Sequence, residues 1–260
     1  MRNILLNTSS KPTLIAHRGY SECYPENTLV GLETALRAGA QCIEFDVHFT
    51  ADGVPVVFHD TELERVTSGE GRIQEISFAA LSKLSASETD RFGEKFIQEP
   101  VPSLQAVLEL LTRWPDATAF VEIKTATVKY FGEEAVVQGL MAVLADFQTQ
   151  CILISFDRAV LETARKAGMQ RIGWVLREWD SESYVHAQTL LPDVLICNVE
   201  KIGADELWPG PEQKPWQWAL YDIVDPDLAL QWFERGANFI ETWDIGGMLG
   251  DSRLSPESSL

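Results

Sequence analysis

The sequence predicts an α/β protein, a (β/α)8 TIM barrel with a small insertion subdomain after its second strand. Three observations lead there. Eight short apolar runs rich in Val, Ile and Phe alternate with amphipathic stretches, which is the pattern of buried parallel strands joined by helices. The chain has 260 residues, close to the roughly 250 of a one-domain barrel. Residues 52–102 break the alternation and are too long for an ordinary strand-to-helix loop. An open, doubly wound sheet shares the same periodicity and is the alternative.

The expected strands are Thr13–Ala16, Gln41–Val47, Ala119–Ile123, Cys151–Ile154, Arg171–Val175, Val194–Cys197, Gln217–Asp222 and Phe239–Trp243. Gly, Pro, Asp or Asn bounds each run. Helices are expected at Glu26–Ala38, Leu104–Thr112, Phe131–Phe147, Asp157–Ala167, Ser181–Leu190 and Pro226–Arg235. Ser103, Asp157 and Asp225 stand where an N-cap is needed, and Gly39, Gly168 and Gly236 where a helix must stop. Within 52–102, Val54–His59 reads as extended, and Ser77–Leu84 and Ser87–Phe92 as short helical pieces. Pro209, Pro211 and Pro215 mark a loop before Trp216, and the Ser-rich stretch from about 250 to 260 reads as a flexible tail.

Acidic residues outnumber basic ones by 39 to 21, a net charge of −18. That balance excludes a basic nucleic-acid footprint and repels anionic membrane surfaces. No run approaches the roughly 20 apolar residues of a membrane span, and the N-terminal stretch lacks the pattern of a secretory signal. Cys23, Cys42, Cys151 and Cys197 are widely spaced, which suits reduced thiols in a cytoplasmic protein.

The chemistry-bearing residues gather at strand ends. In Cys42-Ile-Glu44-Phe-Asp46-Val-His48, alternate side chains share a face. Glu44 and Asp46 therefore point together, away from Ile43, Phe45 and Val47. Two carboxylates that close repel one another unless a cation intervenes, so the pair is a candidate site for a hard divalent ion. A wet, charged edge strand is the other reading of the same spacing. Glu122 ends the third major strand and can complete a three-carboxylate set; Lys124 shares its face and can meet a phosphate. His17 follows the first strand and His59 the extended run at 54–58; imidazole exchanges protons near neutral pH. Arg18 offers a planar fork for phosphate oxygens.

Taken together, H-R-G at 17–19, P-E-N-T at 25–28, E-x-D-V at 44–47, D-G-V-P-V-V-F-H-D at 52–60, L-x-R-V-T at 63–67 and E-I-K at 122–124 resemble the glycerophosphodiester phosphodiesterases. The resemblance runs in order from about residue 14 to 125, and the segment 52–102 looks like that family's insertion. It implies hydrolysis of glycerophosphodiesters, such as glycerophosphocholine or glycerophosphoethanolamine, to glycerol 3-phosphate and an alcohol. It implies Glu44, Asp46 and Glu122 as holders of one divalent cation, Mg²⁺ or Ca²⁺. His17 and His59 would be the acid/base pair, and Arg18 and Lys124 the phosphate-facing cations. A lysophospholipid-cleaving phospholipase D-like barrel, or a non-catalytic phosphodiester-binding barrel, is the alternative.

Glu26 and Asn27 open the first helix and are expected to support the His17 loop, with Glu26 complementing the helix N-terminus. Trp208, Trp216 and Trp218 cluster near the Pro-rich loop, and Trp243 ends the eighth strand, where it can line the pocket. The family often has W-x-V-N in the seventh strand and T-D-x-P after the eighth. This chain has Ala219-Leu-Tyr221-Asp and Ile240-Glu241-Thr242-Trp243-Asp244 there. The expected partner is a small-molecule substrate, with no nucleic acid and no membrane insertion; oligomeric state is not readable.

Overall fold

The computed structural model describes residues 10–202 and 216–255. The Pro-rich loop, Trp208 and residues 256–260 lie outside the described residues.

Eight parallel strands close into a barrel: β1 (Thr13–Ala16), β2 (Cys42–Phe49), β4 (Thr118–Ile123), β5 (Cys151–Ser155), β6 (Ile172–Val175), β7 (Val194–Asn198), β8 (Gln217–Tyr221) and β9 (Phe239–Thr242). β1 pairs with both β9 and β2, which closes the ring. A short strand, β3 (Pro55–Val57), runs antiparallel to the end of β2. Each expected strand is present within two residues of its expected ends.

Strand parity divides the apolar residues into two cores. Ile15, Cys42, Phe120, Ile152, Ile154, Val175, Val194, Ile196 and Ala219 fill the barrel interior. Ile43, Phe45, Val47, Val121 and Leu153 face outward and pack under the helices. The helices are α1 (Leu29–Arg37), α2 (Phe78–Leu81), α3 (Thr89–Phe92), α4 (Leu104–Leu111), α5 (Thr125–Phe131), α6 (Glu133–Leu144), α7 (Arg158–Lys166), α8 (Ser181–Leu190), α9 (Pro226–Glu234) and α10 (Ile245–Gly250); α2 and α3 belong to segment 52–102 and lie outside that outer core. Ser103, Asp157 and Asp225 accept backbone N–H groups at the starts of α4, α7 and α9, as N-cap chemistry requires. Trp216 and Trp218 are core residues stacked edge to face, not pocket walls.

The helix over 131–147 is broken. α5 starts just after Lys124, and Gly132 at φ +83° separates it from α6. The first helix starts later than its apolar repeat suggests. Asn27 takes a left-handed φ of +57°, and Thr28 caps α1 by accepting from the Gly31 N–H. Leu254 is buried, and Lys11 Nζ donates to the Ser255 carbonyl, so the first residues of the C-terminal stretch pack on the barrel. Cys42, Cys151 and Cys197 are buried free thiols and Cys23 is an exposed one. Among the described residues, no helix is long and apolar enough to cross a membrane.

Segment 52–102 has a small core of its own, formed by Val56, Phe58, Leu63, Val66, Ile73, Leu81, Ala86 and Val101. β3 carries the chain back to the barrel mouth and delivers His59 there. Burying these side chains holds that segment against β2. Leu63 is completely buried, so Leu63→Ala should cost about 2–4 kcal/mol, the range for such a truncation; equilibrium urea unfolding measures it.

Candidate active site

Strand parity turns Glu44, Asp46, Glu122 and Glu241 inward, and the loops after β1, β3 and β4 bring His17, Arg18, His59 and Lys124 to the same C-terminal mouth. Asp46 and Glu122 are register partners on adjacent parallel strands, and Glu44 lies one inward position below Asp46. Ile15 pairs with both Cys42 and Glu241, so Glu241 on β9 faces the same interior. Glu44, Asp46 and Glu241 are all buried. Four carboxyl groups so close, with little water, must be offset by cations, hydrogen bonds or protonation.

Asp46 receives most of that compensation. Its Oδ1 lies 3.0 Å from Lys124 Nζ, and its Oδ2 lies 3.2 Å from Arg18 Nε and accepts from Asn27 Nδ2 at 2.9 Å. Burial works against its ionisation, but Lys124 and Arg18 outweigh it and hold the group well below the usual carboxylate range. Glu44 is the opposite case: burial, then the charges of Asp46, Glu241 and Glu122, push it well above that range. Its Oε2 accepts the Arg18 backbone N–H at 3.1 Å, and its buried Oε1 has no hydrogen-bond partner. Glu122 pairs with Lys124 Nζ at 2.8 Å, yet burial still raises it. Glu241 is raised to about 8 by burial and then by the charges of Glu122 and Asp222.

His17 Nε2 lies 3.4 Å from Glu241 and 3.9 Å from Glu44. Burial, helped by the Arg18 charge, lowers the imidazole to about 3. His59 is also lowered, by burial first, although the Asp46 charge opposes this. Its Nδ1 lies 2.6 Å from Asp60 Oδ1. His48, the second inward position after Glu44, turns away from the mouth. Its Nδ1 pairs with Thr127 Oγ1 at 2.6 Å and its Nε2 with the His59 carbonyl at 3.1 Å.

The His17-Arg18-Gly19 loop is tightly fitted. Gly19 has φ +82°, and a Cβ there would collide with the backbone of Gly31 and Leu32 on α1. Arg18 itself has φ +54°, a strained value that turns its backbone N–H onto Glu44. Asn27 pins this loop to β2: its N–H donates to the Arg18 carbonyl, and its Oδ1 accepts the Asp46 N–H at 3.1 Å. Glu26 does not complement the helix N-terminus as its position suggests. It accepts from Arg18 Nη1 at 3.0 Å and from both terminal nitrogens of Arg65.

All seven residues singled out for chemistry, His17, Arg18, Glu44, Asp46, His59, Glu122 and Lys124, line one cavity of about 180 Å³. Ile154, Phe156, Val175, Ile196, Tyr221, Asp222 and Glu241 complete its lining. Trp243 lies outside that cavity. It borders a neighbouring, more open one shared with His17, Arg18, Ser21, Glu22, Glu26 and Arg91. Two groups bring ligand-type atoms within 4.8 Å of one another: Glu44 with Asp46 and Glu122, and His17 with Glu44 and Glu241. The sequence by itself marks no role for Glu241. Its signal was parity with Phe239, which packs inside the barrel.

A closed barrel with carboxylates, imidazoles and two cations converging at the strand C-termini defines the class of site: a polar pocket that joins two positive side chains to an acidic group with the spacing to hold a cation. A family model for glycerophosphoryl diester phosphodiesterases matches residues 17–167, so the chain belongs to that family. A glycerophosphodiester phosphodiesterase of Caldanaerobacter subterraneus is 38% identical over 157 residues, 60% of this chain and 63% of that protein. Glycerophosphodiester phosphodiesterase 1 of Bos taurus is 38% identical over 121 residues, 46% of this chain and 36% of that protein. The match thus spans less than two thirds of the length of these curated relatives. In fold, the chain is similar to an Oleispira antarctica phosphodiesterase in complex with the product sn-glycerol-3-phosphate. The TM-score is 0.81 at 25% identity, over 92% of this chain and 96% of that one.

Asn27 is buried and makes two hydrogen bonds to Asp46. Asn27→Ala removes both and leaves at φ +57° a residue that tolerates that conformation less well than asparagine. A loss of about 2–4 kcal/mol is expected, read from the urea midpoint at constant slope.

Proposed function

We propose that this chain hydrolyses glycerophosphodiesters, such as glycerophosphocholine or glycerophosphoethanolamine, to glycerol 3-phosphate and the free alcohol. The observation that carries the reading is the convergence of two imidazoles, three carboxylates and two cations on one cavity, in a member of this family. The product complex of the Oleispira antarctica protein supports the same substrate class.

The donor set fits a hard divalent cation, Mg²⁺ or Ca²⁺. Glu44, Asp46 and Glu122 offer only oxygen, their ligand atoms lie within 4.8 Å, and Glu44 Oε1 is buried without a partner. When bound, the cation supplies charge neutralisation to the phosphodiester and to the charge that develops on it. The side chains do the rest. Arg18 and Lys124 face the non-bridging oxygens and offset their negative charge. One histidine removes a proton from the attacking hydroxyl, of water or of the glyceryl arm. The other gives a proton to the departing alkoxide, which leaves poorly without it. Burial lowers both rings, which suits the ring that accepts the proton; the ring that donates must enter the step as imidazolium, a form that the Asp46 charge favours at His59. Segment 52–102 serves as the subdomain that brings His59 to the barrel. The reading places the protein in the cytoplasm, acting on a small molecule, in keeping with its free thiols and net charge of −18.

Glycerol 3-phosphate release from glycerophosphocholine tests this. EDTA should abolish release and either Mg²⁺ or Ca²⁺ should restore it; no release from folded protein with either ion, on either substrate, contradicts the reading. Cleavage of lysophosphatidylcholine in preference would favour the phospholipase D-like alternative. His59→Ala should lower kcat by about 100-fold or more, the contribution of one proton-transfer group, with an unchanged thermal midpoint. Near wild-type turnover would remove His59 from the chemistry.

A further inference from the structure

His59 hangs on a chain of charged contacts that the chemistry above does not use. Asp60 Oδ1 lies 2.6 Å from His59 Nδ1. The same carboxylate takes two prongs of Arg65: Nε to Oδ2 at 2.5 Å and Nη2 to Oδ1 at 3.0 Å. The Arg65 guanidinium then reaches Glu26, with Nη1 to Oε2 at 3.0 Å and Nη2 to Oε1 at 2.6 Å. Glu26 Oε1 also accepts from Arg18 Nη1 at 3.0 Å, and Arg18 Nε stands 3.2 Å from Asp46. From His59 to Asp46, negative and positive groups alternate without a break. From the barrel side, buried His48 holds the His59 backbone carbonyl at 3.1 Å.

Each link has a chemical consequence. A carboxylate only accepts, so Asp60 requires the proton on His59 Nδ1 and leaves Nε2 as the ring's basic nitrogen. Asp60 is partly exposed and sits on a loop, and by itself it would not hold a ring plane. A guanidinium fork fixes a carboxylate in two contacts where an ammonium fixes it in one. Arg65 makes that contact on both sides, to Asp60 from the 52–102 segment and to Glu26 from the loop after β1. It therefore ties together the two loops that carry the two histidines.

We infer that Asp60 and Arg65 are positioning residues for the reaction. Asp60 sets the tautomer and ring plane of His59. Arg65 locks Asp60, through Glu26, to Arg18, so that His59 and the phosphate-facing guanidinium are placed as one unit. This rests on the reading of His59 as a proton-transfer group.

The test uses the full-length chain in four forms: wild type, Asp60→Asn, Arg65→Met and Arg65→Lys. Histidine ¹⁵N NMR reads the His59 tautomer, and steady-state hydrolysis of glycerophosphocholine reads kcat and KM. Wild type should show His59 protonated on Nδ1. In Asp60→Asn the amide can turn its NH₂ to the ring, so the proton should move to Nε2 and kcat fall by about 100-fold, with KM within about threefold. Arg65→Met should lower kcat by about tenfold, and Arg65→Lys, which keeps charge without the fork, should lie between. Wild-type kcat in Asp60→Asn, or an unchanged Nδ1–H tautomer there, overturns the inference. So does Arg65→Lys falling below Arg65→Met. If wild type hydrolyses none of the substrates, the functional reading fails, while the NMR arm still decides whether Asp60 sets the tautomer. If Asp60→Asn fails to fold, Arg65→Met carries the kinetic test from a position near the surface.

Discussion

The structure depends on holding like charges together where water is scarce. Glu44, Asp46, Glu122 and Glu241 meet at the mouth of the barrel, and burial penalises each charge before the others repel it. The response is uneven. Asp46 receives Lys124, Arg18 and Asn27 and stays ionised, while Glu44 receives one backbone N–H and is driven toward protonation. That asymmetry divides the labour: Asp46 anchors the loops, and Glu44 keeps a buried oxygen without a hydrogen-bond partner. A barrel selected for stability alone would place apolar side chains at these positions.

The surrounding architecture follows from that arrangement. Asn27 and Arg18 accept left-handed backbone so that each can reach the β2 carboxylates. Gly19 has no side chain because the loop lies directly on α1. Segment 52–102 builds a separate apolar core so that His59 arrives at the mouth from outside the barrel. Arg65 and Glu26 join that segment to the loop after β1. The barrel supplies rigid strand ends, and the polar contacts convert them into a defined constellation.

Much of this was legible in the sequence because period and parity are strong signals. The eight apolar runs are the eight barrel strands, and the Glu44/Asp46 alternation correctly turned Ile43, Phe45 and Val47 the other way. The seven residues singled out do meet in one cavity. What was missed depends on contacts distant in sequence. Glu26 looked like a helix-terminus charge, because nothing local reveals Arg65 39 positions away. Glu241 was passed over because a lone acid at a strand end carries no signal until register places it beside His17. Apolar spacing continues across Gly132, so the sequence reads one helix over 131–147, whereas the positive φ of Gly132 separates α5 from α6. Trp243, counted as a pocket wall, borders the adjoining cavity.

On the proposed function, the acidic cluster is retained for a cation at the expense of stability. Glu44→Gln tests it most directly, since glutamine keeps the shape of the carboxyl group without its charge. Isothermal titration with Mg²⁺ and Ca²⁺, paired with thermal unfolding in EDTA, reads both sides. One divalent ion should bind wild type and none the variant, while the variant unfolds at the same temperature as wild type or higher. Wild-type cation binding by Glu44→Gln would contradict the account.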